Sequence, residues 1–399
     1  MTGGLFDPAR LRRGRLERLR AELVRQDLAA CVLLDPVNIR YATGARNMEV
    51  FHRRNPSRYL FVPAEGPVVL FEYPGCHHLA VGLETIDEIR PAITVSFAAS
   101  GPRVYDAARR WAAEIGDLAR RHGGGNRRLA IERVDHASAA ALNAEGFDLF
   151  DAQDPVERAR ARKLPEEIDC IRRSLAAVER AVDHMQEGMR PGISENELWA
   201  RLHASVIAQD GDYVETRLLS SGPRTNPWFQ ETGRREIQNG DLVALDTDVV
   251  GPEGYYADFS RTFFCAPGRP SAGQRKLFRL AYEQIQTNIA LIRPGMSFCE
   301  LAEKAWPIPE AYVGNRYFVL AHGVGMTGEY PYICHRQDLD AAGYDGLIEP
   351  GMTLCVESYI GAESGAEGVK LEEQVLVGEE RVEVLSRFPF DELLLGREV

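Results

Sequence analysis

Three aspartates stand in the stretch LVALDTDVVGPEGYYADFSRTF, residues 242–263, which otherwise reads as a tight apolar hairpin. Asp246 and Asp248 are two apart, so in a strand both side chains point to one side. A turn centred on Pro252 sets Asp246 across from Asp258, with Cβ atoms about 5 Å apart. Carboxylates so crowded repel one another, and one must take up a proton unless a cation is shared. A bound divalent ion is the ordinary remedy, because neighbours such as Val243 and Leu245 argue against a solvent-facing acidic strand. Further on, FVLAHGVGMTGEYPYI places His322 between an apolar strand and a glycine-rich bend. MTLCVESYI sets Glu357 among apolar residues, and GVKLEEQVLV does the same with Glu372 or Glu373. Many oxygens with a single nitrogen suit two hard or borderline ions, Mn²⁺, Fe²⁺, Co²⁺ or Zn²⁺, better than a cysteine-type zinc site.

These groups come from distant parts of the chain, so the fold must bring them together. In the opening segment, leucines 11, 16, 19 and 23 fall at roughly helical spacing among arginines, giving an amphipathic helix with a solvated basic face. An apolar strand then meets Asp35-Pro36, a turn signal. Strand-like runs RYLFVP, PVVLFE and RRLAIERV flank a helical stretch over about 105–121, which together read as an α/β unit. The charged segment KLPEEIDCIRR lacks strand signals, and Pro165 with two acids behind it opens a helix. The expected division is 1–158 and 159–399. Within the second part, RPGISENEL (190–198) and RPGMSFCEL (293–301) repeat one pattern at an interval of 103 residues. Each is a turn feeding a capped helix, Ser194 with Glu197 and Ser297 with Glu300, and two similar halves follow. Their acid-bearing strands would then meet at one centre.

The chain has 399 residues, is 45% hydrophobic and carries a net charge of −12, which favours neither nucleic acid nor an anionic membrane as partner. No run of 18 apolar residues and no apolar leader is present, so a cytoplasmic enzyme is expected. Seven cysteines without CxxC spacing read as reduced packing residues.

The order Asp, Asp, His, Glu, Glu, with GDLVALD, YADFSRTF, AHGVG, VES and GVKLEEQVLV around it, resembles the pita-bread family of creatinase, prolidase, aminopeptidase P and methionine aminopeptidase. The resemblance implies an α/β (α+β) fold, a creatinase-like N-terminal domain followed by a pita-bread domain with pseudo-twofold halves. It implies Asp246, Asp258, His322, Glu357 and Glu372 as ligands of two divalent metal ions, with Glu372 preferred over Glu373. Asp248 is an extra acid, and the interval from Asp246 to Asp258 is one residue longer than is usual among the peptidases. Both features are similar to the dimethylsulfoniopropionate lyases of this fold (the DddP type), in which a third aspartate joins the metals. The implied substrate is a small carboxylate, cleaved by β-elimination to acrylate and dimethyl sulfide.

Trp228 and Phe229 stand where the peptidases hold substrate with a histidine, and either they cradle an onium cation or Trp228 only packs. The lyase-type tyrosine is Tyr317, which orients substrate or relays a proton. The lyase base falls on Gly328, so Glu329 and His335 are the replacement candidates. The alternative activity is hydrolysis of Xaa-Pro dipeptides or similar amides, with Glu357 shuttling the proton. A non-catalytic binding protein is the third class, disfavoured because the ligand set is intact. The resemblance also implies a homodimer, in which Arg46 and Phe51, with His52 and Arg53, recognise a carboxylate or shape the pocket.

Overall fold

The computed structural model describes residues 6–397. The chain divides into two compact units, Met1–Arg160 and Ala161–Val399. No helix among the described residues is long and apolar enough to cross a membrane.

The first unit is built on a six-stranded mixed sheet. Its order is Glu88–Pro91, Val69–Glu72, Tyr59–Pro63, Ala30–Leu33, Arg128–Ile131 and Asp148–Asp151. Helix Val104–His122 buries Ala108, Trp111, Ala112, Ile115 and Ala119, an i, i+3, i+4, i+7, i+11 stripe, and all of these but Ala108 join a core with Val32, Phe61 and Phe71. Each such aromatic ring, fully buried, contributes about 2–3 kcal/mol. The opening helix, Pro8–Arg25, buries the four expected leucines and one arginine besides, Arg15. That guanidinium donates to the Arg40 carbonyl (3.1 Å) and lies over the Tyr41 ring, which removes it from the solvated face. Asp35-Pro36 is a helix start rather than a turn. The Asp35 carboxylate accepts the Val37 N–H at 2.9 Å, and Pro36 takes the first position of helix Pro36–Thr43.

In the second unit, helix Pro165–Glu187 begins as expected, with the Glu167 carboxylate accepting the Leu164 N–H at 2.8 Å. The repeated motif then appears twice in space. Gly192 and Gly295, both in the left-handed region (φ 89° and 82°), donate to the carbonyls of Ile237 and Ile348. Ser194 and Ser297 cap helices Glu195–Ala208 and Phe298–Lys304 by accepting the N–H of Glu197 and Glu300. The second box lacks its reciprocal bond, because the Glu300 carboxylate pairs with Lys304 instead. In each half a left-handed glycine, Gly240 or Gly351, leads into a buried strand, Leu242–Asp246 or Thr353–Ile360.

Leu242–Asp246 lies between Leu219–Ser221 and Ser260–Phe264. Thr353–Ile360 lies in an antiparallel sheet ordered Gly328–Ile333, Ala321–Val324, Thr353–Ile360, Val369–Val377, Val382–Val384. Helix Ala272–Leu291 backs this layer, with Phe278, Ala281 and Ile285 packed against Ile360, Val369 and Leu371.

The hairpin register differs from the sequence expectation. Asp246 stands opposite Ser260, and Val249 opposite Ala257. The reversal therefore centres on Glu253, which with Gly254 adopts a left-handed backbone (φ 64° and 78°). A two-residue shift leaves the paired side chains on their assigned faces. Nor is the first strand continuous. Asp248 is left-handed (φ 42°), and the Thr247 hydroxyl donates to the Ala257 carbonyl (2.9 Å) and accepts the Phe259 N–H (3.0 Å) in place of ladder bonds.

Candidate metal centre

The two buried strand pairs present their acids to one another. Glu357 and Glu372 are direct cross-strand partners. Ser260, opposite Asp246, ties the halves together, its hydroxyl oxygen lying 2.7 Å from Asp246 Oδ1 and 2.7 Å from Glu372 Oε2. Ligand atoms of Asp246, Asp248 and Asp258 fall within 4.8 Å of one another, so the third aspartate joins the group despite its broken strand. His322 Nε2 lies 3.2 Å from Glu357 Oε1, 3.7 Å from Asp258 Oδ2 and 3.9 Å from Glu372 Oε1. Its other nitrogen, Nδ1, is 2.9 Å from the Gly323 carbonyl oxygen, which orients the ring with Nε2 toward the acids.

Two groups in this centre escaped the sequence reading. Lys370, fully buried, donates to Glu357 (2.6 Å), Ser260 (2.7 Å) and Glu372 (2.9 Å), with Asp246 at 3.4 Å. The available signal was its spacing, two residues before Glu372 on one buried strand and thus on the same face. Cys355, expected only to pack, stands opposite His322 and shares a compact group with Asp258, His322 and Glu372. Its thiol points to the Asp258 carbonyl at 3.5 Å.

The electrostatics follow from five carboxylates crowding around one ammonium and one imidazole. Burial raises the Asp246 carboxyl to about 6 against the pull of Lys370. Burial and the neighbouring Asp246 raise Asp248 well above its usual range, and burial with Glu372 does the same for Asp258. Burial works against a charged His322, but its hydrogen bond to Glu357 and the charges of Glu357 and Glu372 outweigh that and bring it to about 9. Glu372 Oε1 is buried without a hydrogen-bond partner. An orphaned carboxylate oxygen, facing an imidazole nitrogen and surplus negative charge, is what a divalent cation would satisfy. The donor set fits such ions.

Beside the centre opens a cavity of about 440 Å³, whose wall includes Asp248, Asp258, His322, Gly328, Tyr317, Phe229, Phe318 and Tyr332. Tyr317 is therefore placed at the site, with Lys370 Nζ 4.5 Å from its ring centre. Of the two candidate aromatics, Phe229 lines the cavity, whereas Trp228 packs in a cluster with Leu218, Ala244 and Tyr359. Arg46 and Phe51 are exposed side chains of the first unit.

The replacement bases need correction, since neither lines the cavity. Glu329 is buried in an ion pair with Lys163, both side chains 1% exposed. His335 is buried and bonded to the backbone of Tyr317 and Val319; burial and the nearby Arg316 lower it to about 4, so it stays neutral. Position 328 itself faces the site. A Cβ there would lie 3.3 Å from the Tyr332 hydroxyl and 3.8 Å from the His322 ring.

Comparison with known proteins places this arrangement. The model of "Metallopeptidase family M24" matches residues 169–379, and that of "Creatinase/Prolidase N-terminal domain" matches residues 15–162. The chain is 38% identical to the dimethylsulfoniopropionate lyase DddP of Roseovarius nubinhibens, over 99% of this chain and 90% of the relative. It is 37% identical to the protein of that name from Roseobacter denitrificans, over 99% and 89%. Its fold is that of the X-Pro aminopeptidase of Thermotoga maritima, with a TM-score of 0.76 at 20% identity over 94% of this chain and 98% of that one.

Proposed function

The chain belongs to metallopeptidase family M24, with a creatinase/prolidase N-terminal domain, and on that premise we propose that it is a dinuclear metal lyase acting on small carboxylates of the dimethylsulfoniopropionate type. The observation that carries this reading is the third aspartate: Asp248 lies with Asp246 and Asp258 and also lines the cavity. Full-length identity of 37–38% to proteins named as such lyases supports it.

Asp246, Asp248, Asp258, His322, Glu357 and Glu372 would hold the two ions, which when bound supply positive charge that anchors a substrate carboxylate and acidifies its α-carbon. Ser260 and Lys370 fix the orientation of the acids. Tyr317 lines the cavity and would orient the substrate. In the elimination, the Cα–H and Cβ–S bonds break, a Cα=Cβ bond forms, and acrylate, dimethyl sulfide and a proton leave. A base must take that proton. Gly328 offers none, and Glu329 and His335 stand elsewhere, so elimination is expected to be slow. The test is metal-loaded protein incubated with dimethylsulfoniopropionate, with acrylate and dimethyl sulfide measured together. Equimolar products support the reading, and their absence across Fe, Mn, Zn and Co removes it.

One observation favours a second reading, hydrolysis of Xaa-Pro dipeptides: attack by water at this centre requires no side chain at 328. Release of proline without dimethyl sulfide decides for it. We further propose that the chain acts as a homodimer.

A further inference from the structure

The donors of the metal centre fall into two compact groups that share one residue. Asp246, Asp248 and Asp258 form the first, and its donor atoms are all oxygen. Asp258, His322, Cys355 and Glu372 form the second, and its donor atoms are oxygen, nitrogen and sulfur. Within each group one ligand atom from every residue lies within 4.8 Å of the others, and Asp258 belongs to both. A carboxylate has an oxygen for each group, so two ions can sit side by side in unlike surroundings.

Strand geometry carries the thiol into the second group. Cys355 and Glu357 are two apart on strand Thr353–Ile360 and so face one way. Cys355 stands opposite His322 on one neighbouring strand and opposite Gln374 on the other, and Gln374 is two residues from Glu372. Cross-strand partners share a face, so sulfur, imidazole and carboxylate converge. Cys355 also packs with Val250, Tyr256 and Val324, and packing alone suffices for many buried cysteines. Two neighbouring groups ask for more. Glu372 Oε1, an acceptor, and Gln374 Nε2, a donor, are both buried without a hydrogen-bond partner. A cation held between the sulfur and Glu372 satisfies the oxygen, and a thiolate opposite Gln374 offers its amide an acceptor. Zinc binds sulfur at about 2.3 Å and carboxylate oxygen at about 2.0–2.2 Å, so the four donor atoms need only draw in to share it.

We infer that Cys355 is a metal ligand and that the two ion sites differ. Asp258, His322, Cys355 and Glu372 bind a thiophilic ion, Zn²⁺, Co²⁺ or Fe²⁺, whereas Asp246, Asp248 and Asp258 bind a harder one such as Mn²⁺. As the metal–sulfur bond forms, the thiol proton passes to solvent and no electron changes hands. The assignment rests on the proposed two-ion centre and is independent of the reaction run there.

The test adds one equivalent of zinc to the metal-stripped full chain and reads the fine structure of the zinc X-ray absorption edge. A sulfur neighbour at about 2.3 Å is expected. Cobalt in place of zinc should give a near-ultraviolet sulfur-to-cobalt charge-transfer band, lost in Cys355→Ser and kept in Cys334→Ser. In competition, zinc should be favoured over manganese, with the preference falling at least about tenfold in Cys355→Ser. Bound zinc with only oxygen and nitrogen neighbours, a cobalt band that survives Cys355→Ser, or a parent protein that binds neither ion overturns the assignment. Should Cys355→Ser not fold, the zinc spectrum of the parent decides alone. Sulfur at the zinc without dimethyl sulfide release from the sulfonium substrate removes the elimination chemistry alone. Release by protein whose zinc carries no sulfur removes the thiolate ligand alone.

Discussion

Replacing Gly328 by aspartate should raise the rate of elimination. The position opens strand Gly328–Ile333, and its would-be Cβ meets only the Tyr332 hydroxyl closely, at 3.3 Å, with the His322 ring at 3.8 Å. The tyrosine must give way by a few tenths of an ångström, and the residue is 37% exposed, which leaves it room on the solvent side. That adjustment should cost about 1 kcal/mol, the low end for added core volume. The new carboxylate would enter the cavity beside Asp248 and His322. A positioned general base accelerates a reaction about 10²–10⁴-fold, or about 3–5 kcal/mol off the barrier. The packing cost falls on ground and transition states alike and lowers stability rather than rate, so the smaller gain stands, about a hundredfold. Dimethyl sulfide in the headspace and acrylate in solution measure the rate, with Gly328→Asn as a control of the same shape and no basicity. A folded, metal-loaded Gly328→Asp protein no faster than its parent or the asparagine control would refute the argument that a missing base limits turnover.

Other expectations follow from particular groups. Metal analysis should find about two equivalents of divalent ion per chain, and His322→Ala should lower that content, since its Nε2 faces three of the carboxylates. Glu329→Gln leaves the Lys163 ammonium in a buried ion pair without its carboxylate, which should cost about 3 kcal/mol by denaturant titration. The rate per folded molecule should be unchanged, and a selective loss of rate would return Glu329 to the mechanism. His335 sits near 4 in the folded protein against an ordinary 6.5, so between those values the unfolded chain binds a proton the folded chain refuses. Its contribution is thus present above pH 6.5 and lost as pH falls toward 4, by about 3 kcal/mol in all. His335→Gln should flatten that acid limb of the melting curve relative to the parent. Sedimentation equilibrium should give twice the chain mass if the homodimer proposal holds.

Asp246, Asp258, His322, Glu357 and Glu372 were legible because each is an ionisable side chain in an apolar stretch, a conflict that a partner resolves. The two halves were legible through the repeated turn and serine cap. Lys370 escaped notice because a lysine two residues from a glutamate reads as ordinary surface alternation until the strand is known to be buried on both faces. Glu329 looked available because its partner, Lys163, lies 166 residues away in sequence. Trp228 and Phe229 part company on a single backbone angle, the left-handed φ at 229, and residue type does not announce that. The hairpin register was misjudged because proline drew the expected turn centre to 252, whereas Glu253 and Gly254 make the bend.

Lys370 bears on how such a protein comes into being. A soluble ion can be absent when a nascent polypeptide collapses, but an ammonium carried by the polypeptide itself arrives with the acids it must quiet. The nest of carboxylates can therefore close around its own tethered charge first, and mineral loading becomes a late event on an already shaped receptacle.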